Sequence, residues 1–355
     1  MKNRTLAGEY FLMLLVALNV ASVSLGHAQS EPFYKGKTLK VVVGTTAGSL
    51  YDIWARTVAA HLPRHIPGNP EALTQNMPGG GHKIATNYMY NVAKPDGLTI
   101  IGSILPGVYM DQLAGRPEVK YDWAKFVWIG SPVKSESQMI MRADAPYKSI
   151  DDIRKAKEPP RCGSTGTSGT DYMLARLLEE IMPPLKIHSV LGYQGGPELD
   201  LGIERGEIQC RTFTIETFFA REPYIAWKKK GFVRNLYQTG RKRDSRLADV
   251  PTLYEVMDGY KIPEDSRRLA NVILANGSLG RPIFTSPGTP PDRVKILREA
   301  FGKMVKDPAF LEDVKKKNFE LDPISGEELE VIVKEVMTQP PETIARLKTI
   351  LLQQQ

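Results

Sequence analysis

The hydrophobic positions of this chain follow two periods in turn, one typical of buried strands and one typical of helices. Leu39–Gly44 is apolar apart from Lys40, which predicts a strand buried on both faces of a parallel sheet. Apolar residues then recur at helical spacing over Leu50–Ile66, until a Pro-Gly-Asn-Pro sequence ends the helix. A strand at Ala72–Asn76, a helix at His82–Ala93 and a strand at Leu98–Ser103 follow. This order predicts right-handed crossovers and an open, doubly wound α/β sheet.

A second series of strands and helices follows the first. The predicted strands are Met139–Arg142, Arg161–Gly163, Ile187–Leu191, Ile208–Phe213 and Phe232–Gln238. The predicted helices are a short one that begins at Ser149–Asp152, then Asp171–Met182 and Glu198–Arg205. The tail predicts four more helices, three of them starting at a proline: Pro291–Lys306, Pro308–Lys317, Glu327–Thr338 and Pro341–Leu352. The pattern therefore predicts two α/β units and a helical tail.

Each α/β unit has one loop of glycine and small hydroxyl residues between a strand and a helix. The two loops are Thr45–Ser49 and Ser164–Thr170. In open α/β sheets, ligands bind beyond the carboxyl ends of the strands, where such loops enter the helices. A helix N-terminus presents unpaired N–H groups with a partial positive charge, and small side chains let an anion reach them. The loops therefore predict an anion site made of N–H groups and hydroxyls.

The loops lack the motifs of the common phosphate-binding and catalytic classes. Neither has the G-x-x-x-x-G-K-[ST] of a phosphate loop, the G-x-G-x-x-G of a dinucleotide site or the G-x-S-x-G of a hydrolase. We therefore expect no cofactor and no catalytic residue. His61 and His65 lack a metal-binding motif, so we expect structural roles for both and no metal. We favour a helix-entry position for His82 over a position in the cleft, and a core position for His188.

Three residues near the loops have two interpretations each: Asp52, Tyr193 and Arg211. Ser49 and Asp52 are spaced to cap the first helix reciprocally, and for Asp52 we favour this role over a contact with a ligand or water. Tyr193 either stacks over a ligand or packs its own loop. Arg211 either pairs with a carboxylate, as a bidentate guanidinium can, or points away from the cleft.

The first thirty residues differ from the rest. Lys2 and Arg4 precede an almost unbroken apolar run from Phe11 to Val23, and small residues follow. This pattern predicts a signal peptide over residues 1–28, cleaved after Ala28. The alternative is an uncleaved membrane anchor, but the run is shorter than the roughly 20 residues that a spanning helix needs. Because no later segment is apolar enough to span a bilayer, we expect a mature protein that is soluble and exported.

The chain is basic overall, but its basic residues are scattered along the sequence. The chain has 47 Lys and Arg against 40 Asp and Glu, a formal net charge of +7. Binding to nucleic acid would need a basic stripe with interleaved aromatic residues, which is absent, so we expect no nucleic-acid partner. A modest positive field would help to attract an anionic ligand.

The two cysteines, Cys162 and Cys210, lie in predicted strands next to candidate loops. Export would place them in an oxidising compartment, where neighbouring strands can be joined by a disulfide. Two buried thiols are the commoner state of cysteines inside strands. The sequence leaves both alternatives open.

Seven short segments, in order along the chain, carry a family signature. They are Val43–Arg56, Asn76–Gly81, Pro95–Thr99, Cys162–Ser168, Tyr193–Gly195, Pro251–Glu255 and Ser286–Pro290. Together they resemble the motifs of the tripartite tricarboxylate transporter receptor family, also called Bug proteins. Pro95–Thr99 resembles the family's P-D-G-Y-T, and Ser286–Pro290 resembles A-P-x-G-T-P. Each segment is weak evidence alone, but seven in series cover almost the whole mature chain.

The resemblance implies a two-domain solute-binding protein of the type II periplasmic binding protein class, with doubly wound α/β domains joined by a hinge. Domain one would hold residues 31–132 and 271–355, and domain two residues 133–270. Such proteins act as monomers that close on a small carboxylate and pass it to membrane permease subunits. Matched residue by residue, the implied ligand-binding residues are Ala47, Gly48, Ser49, Asp52, Ser164, Thr165, Thr167, Ser168, Tyr193 and Gly195.

The sequence departs from the family pattern at several positions. Gly48 and Ser49 stand where the family has a pair of glycines. Tyr51 follows, and its bulk would narrow the cleft or form an aromatic wall. His82 replaces the last glycine of the P-G-A-G-G turn, and Arg211 lies in a segment that is usually apolar. We therefore add Tyr51 and Arg211 to the ligand-binding residues. The departures leave the identity of the ligand open.

Two other functions compete with ligand delivery. A sensory receptor that binds the same ligand and signals to a membrane protein would use the same closing motion. An exported hydrolase would need an activated nucleophile with a base in reach, and the loops show none. We favour a binding protein that is not an enzyme.

Overall fold

The computed structural model describes residues 31–352 apart from residues 165, 167, 168 and 194. The predicted signal peptide over residues 1–28 and the predicted loop residues Thr165, Thr167 and Ser168 lie outside the described residues. The described chain forms two β-sheets covered by helices. We call the elements around the first sheet the first lobe and those around the second sheet the second lobe.

The first sheet has six strands. They are β1 Thr38–Val43, β2 Glu71–Asn76, β3 Thr99–Ser103, β4 Val127–Ser131, β10 Ile283–Thr285 and β11 Ile324–Ser325. Their order across the sheet is β11-β4-β10-β3-β1-β2. The predicted strands β1, β2 and β3 pair in parallel, because a helical crossover follows β1 and β2. The unpredicted strands β4, β10 and β11 add antiparallel pairs on the other side.

The second sheet has five strands. They are β5 Ser137–Arg142, β6 Arg161–Gly163, β7 His188–Val190, β8 Cys210–Thr214 and β9 Val233–Gln238, in the order β7-β6-β8-β5-β9. Strand β6 pairs in parallel with β7 and β8, whereas β5 pairs antiparallel with β8 and β9. The core position predicted for His188 is wrong, because β7 is an edge strand and its first side chain faces solvent.

Fourteen helices cover the two sheets in the described part of the chain. They are α1 Leu50–His61, α2 Lys83–Asn91, α3 Val108–Leu113, α4 Ile150–Lys155, α5 Thr170–Ile181, α6 Gly196–Arg205, α7 Ile215–Ala220, α8 Tyr224–Lys230, α9 Leu253–Gly259, α10 Glu264–Leu279, α11 Pro291–Met304, α12 Pro308–Lys316, α13 Gly326–Met337 and α14 Pro341–Leu352. Every predicted helix is present, with ends that differ from the predicted ones by at most five residues. The two α/β units of the predicted fold class are confirmed, with mixed rather than parallel sheets.

The chain crosses between the lobes twice. It leaves the first sheet after Ser131 and enters the second at Ser137, then leaves the second at Gln238 and returns at Ile283. On the way back, α10 packs against α5 of the second lobe and against α13 and α14. The predicted domain boundaries at 132/133 and 270/271 stay a prediction, and the second falls inside α10.

The return crossing requires a glycine. Gly280 has φ +65°, and a Cβ placed on it would lie 1.8 Å from the carbonyl oxygen of Val133 in the outgoing crossing. The two crossing segments therefore touch backbone to backbone, where only glycine fits.

A disulfide joins Cys162 on β6 to Cys210 on β8. The two residues are direct partners in the parallel pair, with Cα atoms 4.4 Å apart. Of the two alternatives that the sequence left open, the structure therefore shows the disulfide rather than two thiols. It closes a loop that includes α5, β7 and α6, beside the second candidate loop.

The predicted structural roles of His61 and His65 are confirmed. His61 Nε2 lies 3.1 Å from Asp313 Oδ2, and His65 Nε2 lies 2.8 Å from Asp307 Oδ2. Both contacts attach the end of α1 to the helical tail at α12 and the residue before it. The tail is thereby fixed to α1, which itself packs on β1, β2 and β3.

Candidate functional site

A cavity of about 410 Å³ lies between the two lobes. Tyr51 and Arg281 line it from the first lobe, and Asp200, Arg211 and Tyr224 line it from the second. The volume lies within the range of small-molecule sites in proteins. Each lobe contributes one buried arginine, so the cavity has fixed positive groups on opposite lobes.

Arg211 is held in place by a buried network. It is the second residue of β8, and its side chain is 8% exposed. Nη1 donates to Asp200 Oδ1 at 2.6 Å and to the Gly196 carbonyl at 3.1 Å. The Tyr224 hydroxyl donates to Asp200 Oδ2 at 2.8 Å, and the guanidinium lies 4.6 Å from the centre of the Phe213 ring. The position of the guanidinium is therefore fixed before any ligand arrives.

The other nitrogens of the Arg211 guanidinium have no hydrogen-bond partner among the described residues. Within the described residues, Nη2 has no hydrogen-bond partner, and Nε is buried without one. A Cβ placed on Gly196 would lie 3.8 Å from Nη1 and Nη2, which is ordinary contact distance, so this residue borders the guanidinium. Because Nη1 is bonded and Nε is buried, Nη2 is the nitrogen that remains for a ligand, and a charged donor of this kind suits a carboxylate.

The acidic groups beside Arg211 are poorly solvated. Burial raises the pKa of Asp200, although the charge of Arg211 opposes this. Burial also raises the pKa of Asp171, which lines the same cavity, with hydrogen bonding from Ser164 and the charge of Arg211 opposing. Both carboxyl groups therefore lie in the same poorly solvated environment as Arg211.

Arg281 is the cavity's second buried cation. Its Nη2 donates to Glu216 Oε2 at 2.9 Å, and its Cζ lies 4.7 Å from the centre of the Tyr51 ring. Burial raises the pKa of Tyr51, while the charge of Arg281 opposes the rise. Tyr51 therefore forms an aromatic wall over Arg281, as its bulk predicts.

The first candidate loop is ordered by Asp52. Its Oδ2 accepts from the backbone N–H of Gly48 at 2.8 Å and from Arg56 Nε at 2.9 Å, and Oδ1 accepts from Asn76 Nδ2 at 2.8 Å. Ser49 Oγ accepts from the Asp52 N–H at 3.1 Å. Burial alone would raise the pKa of Asp52, but these hydrogen bonds outweigh it and the pKa is lowered. The capping role of Asp52 is confirmed, but its carboxylate accepts from the backbone N–H of Gly48 instead of that of Ser49.

His82 supports Tyr51 from behind. It is the N-cap residue of α2, which confirms the helix-entry position, and its φ of +73° is left-handed. The two rings meet edge to face with centroids 5.1 Å apart, and the His82 ring covers Gly44, where a Cβ would lie 2.6 Å from Nδ1. Burial lowers the pKa of His82 to about 4, so the ring is neutral at pH 7.

The second candidate loop is also bonded within itself. Ser164 is buried, and its hydroxyl donates to Asp171 Oδ1 at the start of α5 and accepts from the Gly166 N–H at 3.3 Å. Tyr193 packs against the next helix, because a Cβ placed on Gly202 would lie 2.9 Å from its hydroxyl. Gly195 caps α6, and the following Gly196 reaches the cavity.

Of the predicted ligand-binding residues, Tyr51 and Arg211 line the cavity. The others in the described chain stay a prediction: Ala47, Gly48, Ser49, Asp52, Ser164, Tyr193 and Gly195. Ala47 and Gly48 are exposed on the first loop, next to the cavity-lining Leu50. Sequence reasoning missed Arg281, Asp200 and Tyr224. The available sequence signal was for Arg281, which is a charged residue in the apolar segment before β10.

The described residues hold no group of three or more His, Cys, Asp or Glu that could bind a metal ion. Within the same residues, none of the helices combines the length and the apolar character that crossing a membrane requires.

Two α/β lobes with two crossings and a ligand-sized cavity between them define a two-lobed solute-binding protein. The model of the tripartite tricarboxylate transporter family receptor, TctC, matches residues 55–348. This chain belongs to that family, and the predicted resemblance is confirmed. No curated protein matches the chain.

Solved structures of similar fold agree with this assignment. A TctC solute-binding protein from Polaromonas is 20% identical, with a TM-score of 0.67 over 89% of this chain and 98% of that one. The periplasmic binding protein BugD is 20% identical, with a TM-score of 0.62 over 89% and 98%. MatC from Rhodopseudomonas palustris, solved with bound malate, is 18% identical, with a TM-score of 0.59 over 89% and 99%. The predicted type II periplasmic binding protein fold is confirmed.

Proposed function

We propose that this chain is a periplasmic receptor that captures a small organic anion, a carboxylate, between its two lobes. It delivers this ligand to the membrane permease subunits of a tripartite tricarboxylate-type transporter, and it acts as a monomer without catalysis. The observation that carries the proposal is Arg211, a buried guanidinium fixed on one side by Asp200 and open on the other towards the cavity. The predicted cleaved signal peptide accounts for export.

The energetics of such a site suffice for capture. A hydrogen bond to a charged group contributes about 1.5–3 kcal/mol, and a carboxylate at Arg211 can accept one from Nη2. Further N–H and hydroxyl donors of the two loops would add to this. Micromolar affinity needs about 8 kcal/mol, which several such bonds supply after the cost of ordering.

The two-lobed arrangement lets the bound ligand set the relative position of the lobes. A ligand that touches both lobes binds best where the lobes are close, and so it selects that arrangement. The two crossings would act as the hinge, with small rotations at segment ends. We propose that the ligand binds Arg211 and residues of both loops, which keep the roles that the family resemblance implies: Gly48, Ser49, Ser164, Thr165, Thr167 and Ser168.

A thermal-shift screen over mono-, di- and tricarboxylates, amino acids and aromatic acids tests the proposal. A ligand at 100 times its dissociation constant adds about 2.7 kcal/mol of stability, which a melting curve detects. Arg211→Gln should abolish the shift, and the matched exposed change Arg205→Gln should leave it intact. If only neutral or cationic compounds raise the melting temperature, or if Arg211→Gln responds as the wild type does, the proposal fails.

A further inference from the structure

A fully buried ion pair joins the two lobes behind the cavity. The backbone N–H of Arg281 donates to Ser131 Oγ at the end of β4, which fixes this residue in the first lobe. Glu216 lies in the first turn of α7, directly after β8 of the second lobe. The side chains meet at 2.9 Å and are 2% and 3% exposed. Any rotation of the lobes that moves α7 away from Ser131 would break the pair.

The pair is incompletely bonded. Arg281 Nε and Glu216 Oε1 are both buried without a hydrogen-bond partner in the described residues. A buried ion pair contributes little net stability even when fully bonded, and unpaired buried polar atoms make it worse. Stability therefore does not explain why the pair is present. Arg281 also lines the cavity and is covered by Tyr51. We therefore infer that the pair has a function in the binding cycle.

We propose that Arg281 is a second ligand-contacting residue, and that its ion pair with Glu216 couples this contact to the relative position of the lobes. A ligand held at Arg211 of the second lobe reaches Arg281 of the first only when the lobes are in the observed arrangement. Glu216 is a positioning residue, since it holds the Arg281 guanidinium at the cavity wall. The ligand contact rests on the proposed function, whereas the coupling to lobe position does not.

Distances between nitroxide labels on the unliganded protein test the coupling. Lys229→Cys on α8 and Val331→Cys on α13 place labels on exposed sites of different lobes. The native cysteines do not react, because they are joined to each other. Glu216→Gln leaves Arg281 buried without a counter-charge, so the lobes should separate and the distances lengthen.

Two controls sharpen the distance measurement. Arg281→Met combined with Glu216→Leu replaces the pair by apolar side chains, which folded proteins usually tolerate, so the wild-type distances should remain. Glu320 and Arg246 form a partly exposed ion pair between the lobes. Glu320→Gln breaks this pair and should also leave the label distances unchanged. Wild-type distances in Glu216→Gln would overturn the coupling.

Calorimetric titration with malate and adipate tests the ligand contact. The Arg281→Met, Glu216→Leu protein should bind about 10- to 100-fold more weakly than wild type, the loss of one charged hydrogen bond. Arg281→Lys should recover part of this, because it keeps the charge. If the double variant binds as the wild type does while Arg211→Gln is weakened, the inference fails and the proposed function stands. If Arg211→Gln also binds normally, the proposed function fails.

Discussion

Asp200 and Arg211 form a buried ion pair in which Oδ1 lies 2.6 Å from Nη1, on the second-lobe wall of the cavity. Asp200→Asn should lower the free energy of unfolding by about 3–5 kcal/mol, because it leaves Arg211 buried without its counter-charge. Urea denaturation at pH 7 measures the change.

The exposed pair of Arg205 and Glu207 is the matched control for this ion pair. Glu207→Gln should change the free energy of unfolding by less than about 1 kcal/mol, as exposed pairs do. Equal effects of Asp200→Asn and Glu207→Gln would show that the buried pair does not organise the cavity wall.

The carboxylate of Asp52 should stabilise the fold only while it is ionised. Its folded pKa is lowered from 3.8, so its contribution is present above that value and is lost as the pH falls through the folded pKa. Asp52→Asn should therefore cost about 1.5–3 kcal/mol at pH 7 and less at pH 3. Urea midpoints from pH 7 to pH 3 measure this, with the exposed Asp249→Asn as control. A cost that does not depend on pH would contradict the assignment.

His82 should destabilise the fold in mild acid. Its folded pKa of about 4 lies below the ordinary 6.5, so protons bind more strongly to the unfolded chain between these values. Stability from this residue is complete above pH 6.5 and falls by up to about 1.4 kcal/mol per unit below it. Asn tolerates the left-handed φ, so His82→Asn keeps the turn. The stability difference between the variant and the wild type should shift in favour of the variant from pH 7 to pH 5. A constant difference would mean that the ring is solvated.

Removing the disulfide should destabilise the second lobe. The bond joins residues 48 positions apart, and a loop of that length predicts about 4 kcal/mol from chain entropy. Cys162→Ser combined with Cys210→Ser should therefore lower the melting temperature by several degrees, and a reducing agent should do the same to the wild type. The double variant should be insensitive to that reducing agent. Alkylation of unreduced native protein by iodoacetamide would show instead that the cysteines are free.

The sequence predicted the local elements of this fold well, because strand and helix periods depend on nearby residues. The strand Thr38–Val43 and the helix Leu50–His61 lie within a few residues of their predicted ends. The pattern missed Ile283–Thr285, a three-residue strand that is too short to show a period and is held by pairing with β3 and β4. His188 was misplaced for a related reason, since its strand has a neighbour on one side only.

The candidate site was predicted in part. Tyr51 was named from its bulk and Arg211 from its charge in an apolar segment, and both line the cavity. Whether Arg211 faced the cavity or pointed away depended on the register of β8 beside β5, which no local pattern shows.

By itself, the sequence determined the alternation of strands and helices, the small-residue loops and the series of motifs that places the chain in its receptor family. These depend on the order of residues along the chain. Only the tertiary structure decided that Cys162 meets Cys210, and that Arg281 of one lobe meets Glu216 of the other. Residues 48 and 65 positions apart are brought together by strand pairing and lobe packing, which local sequence does not encode.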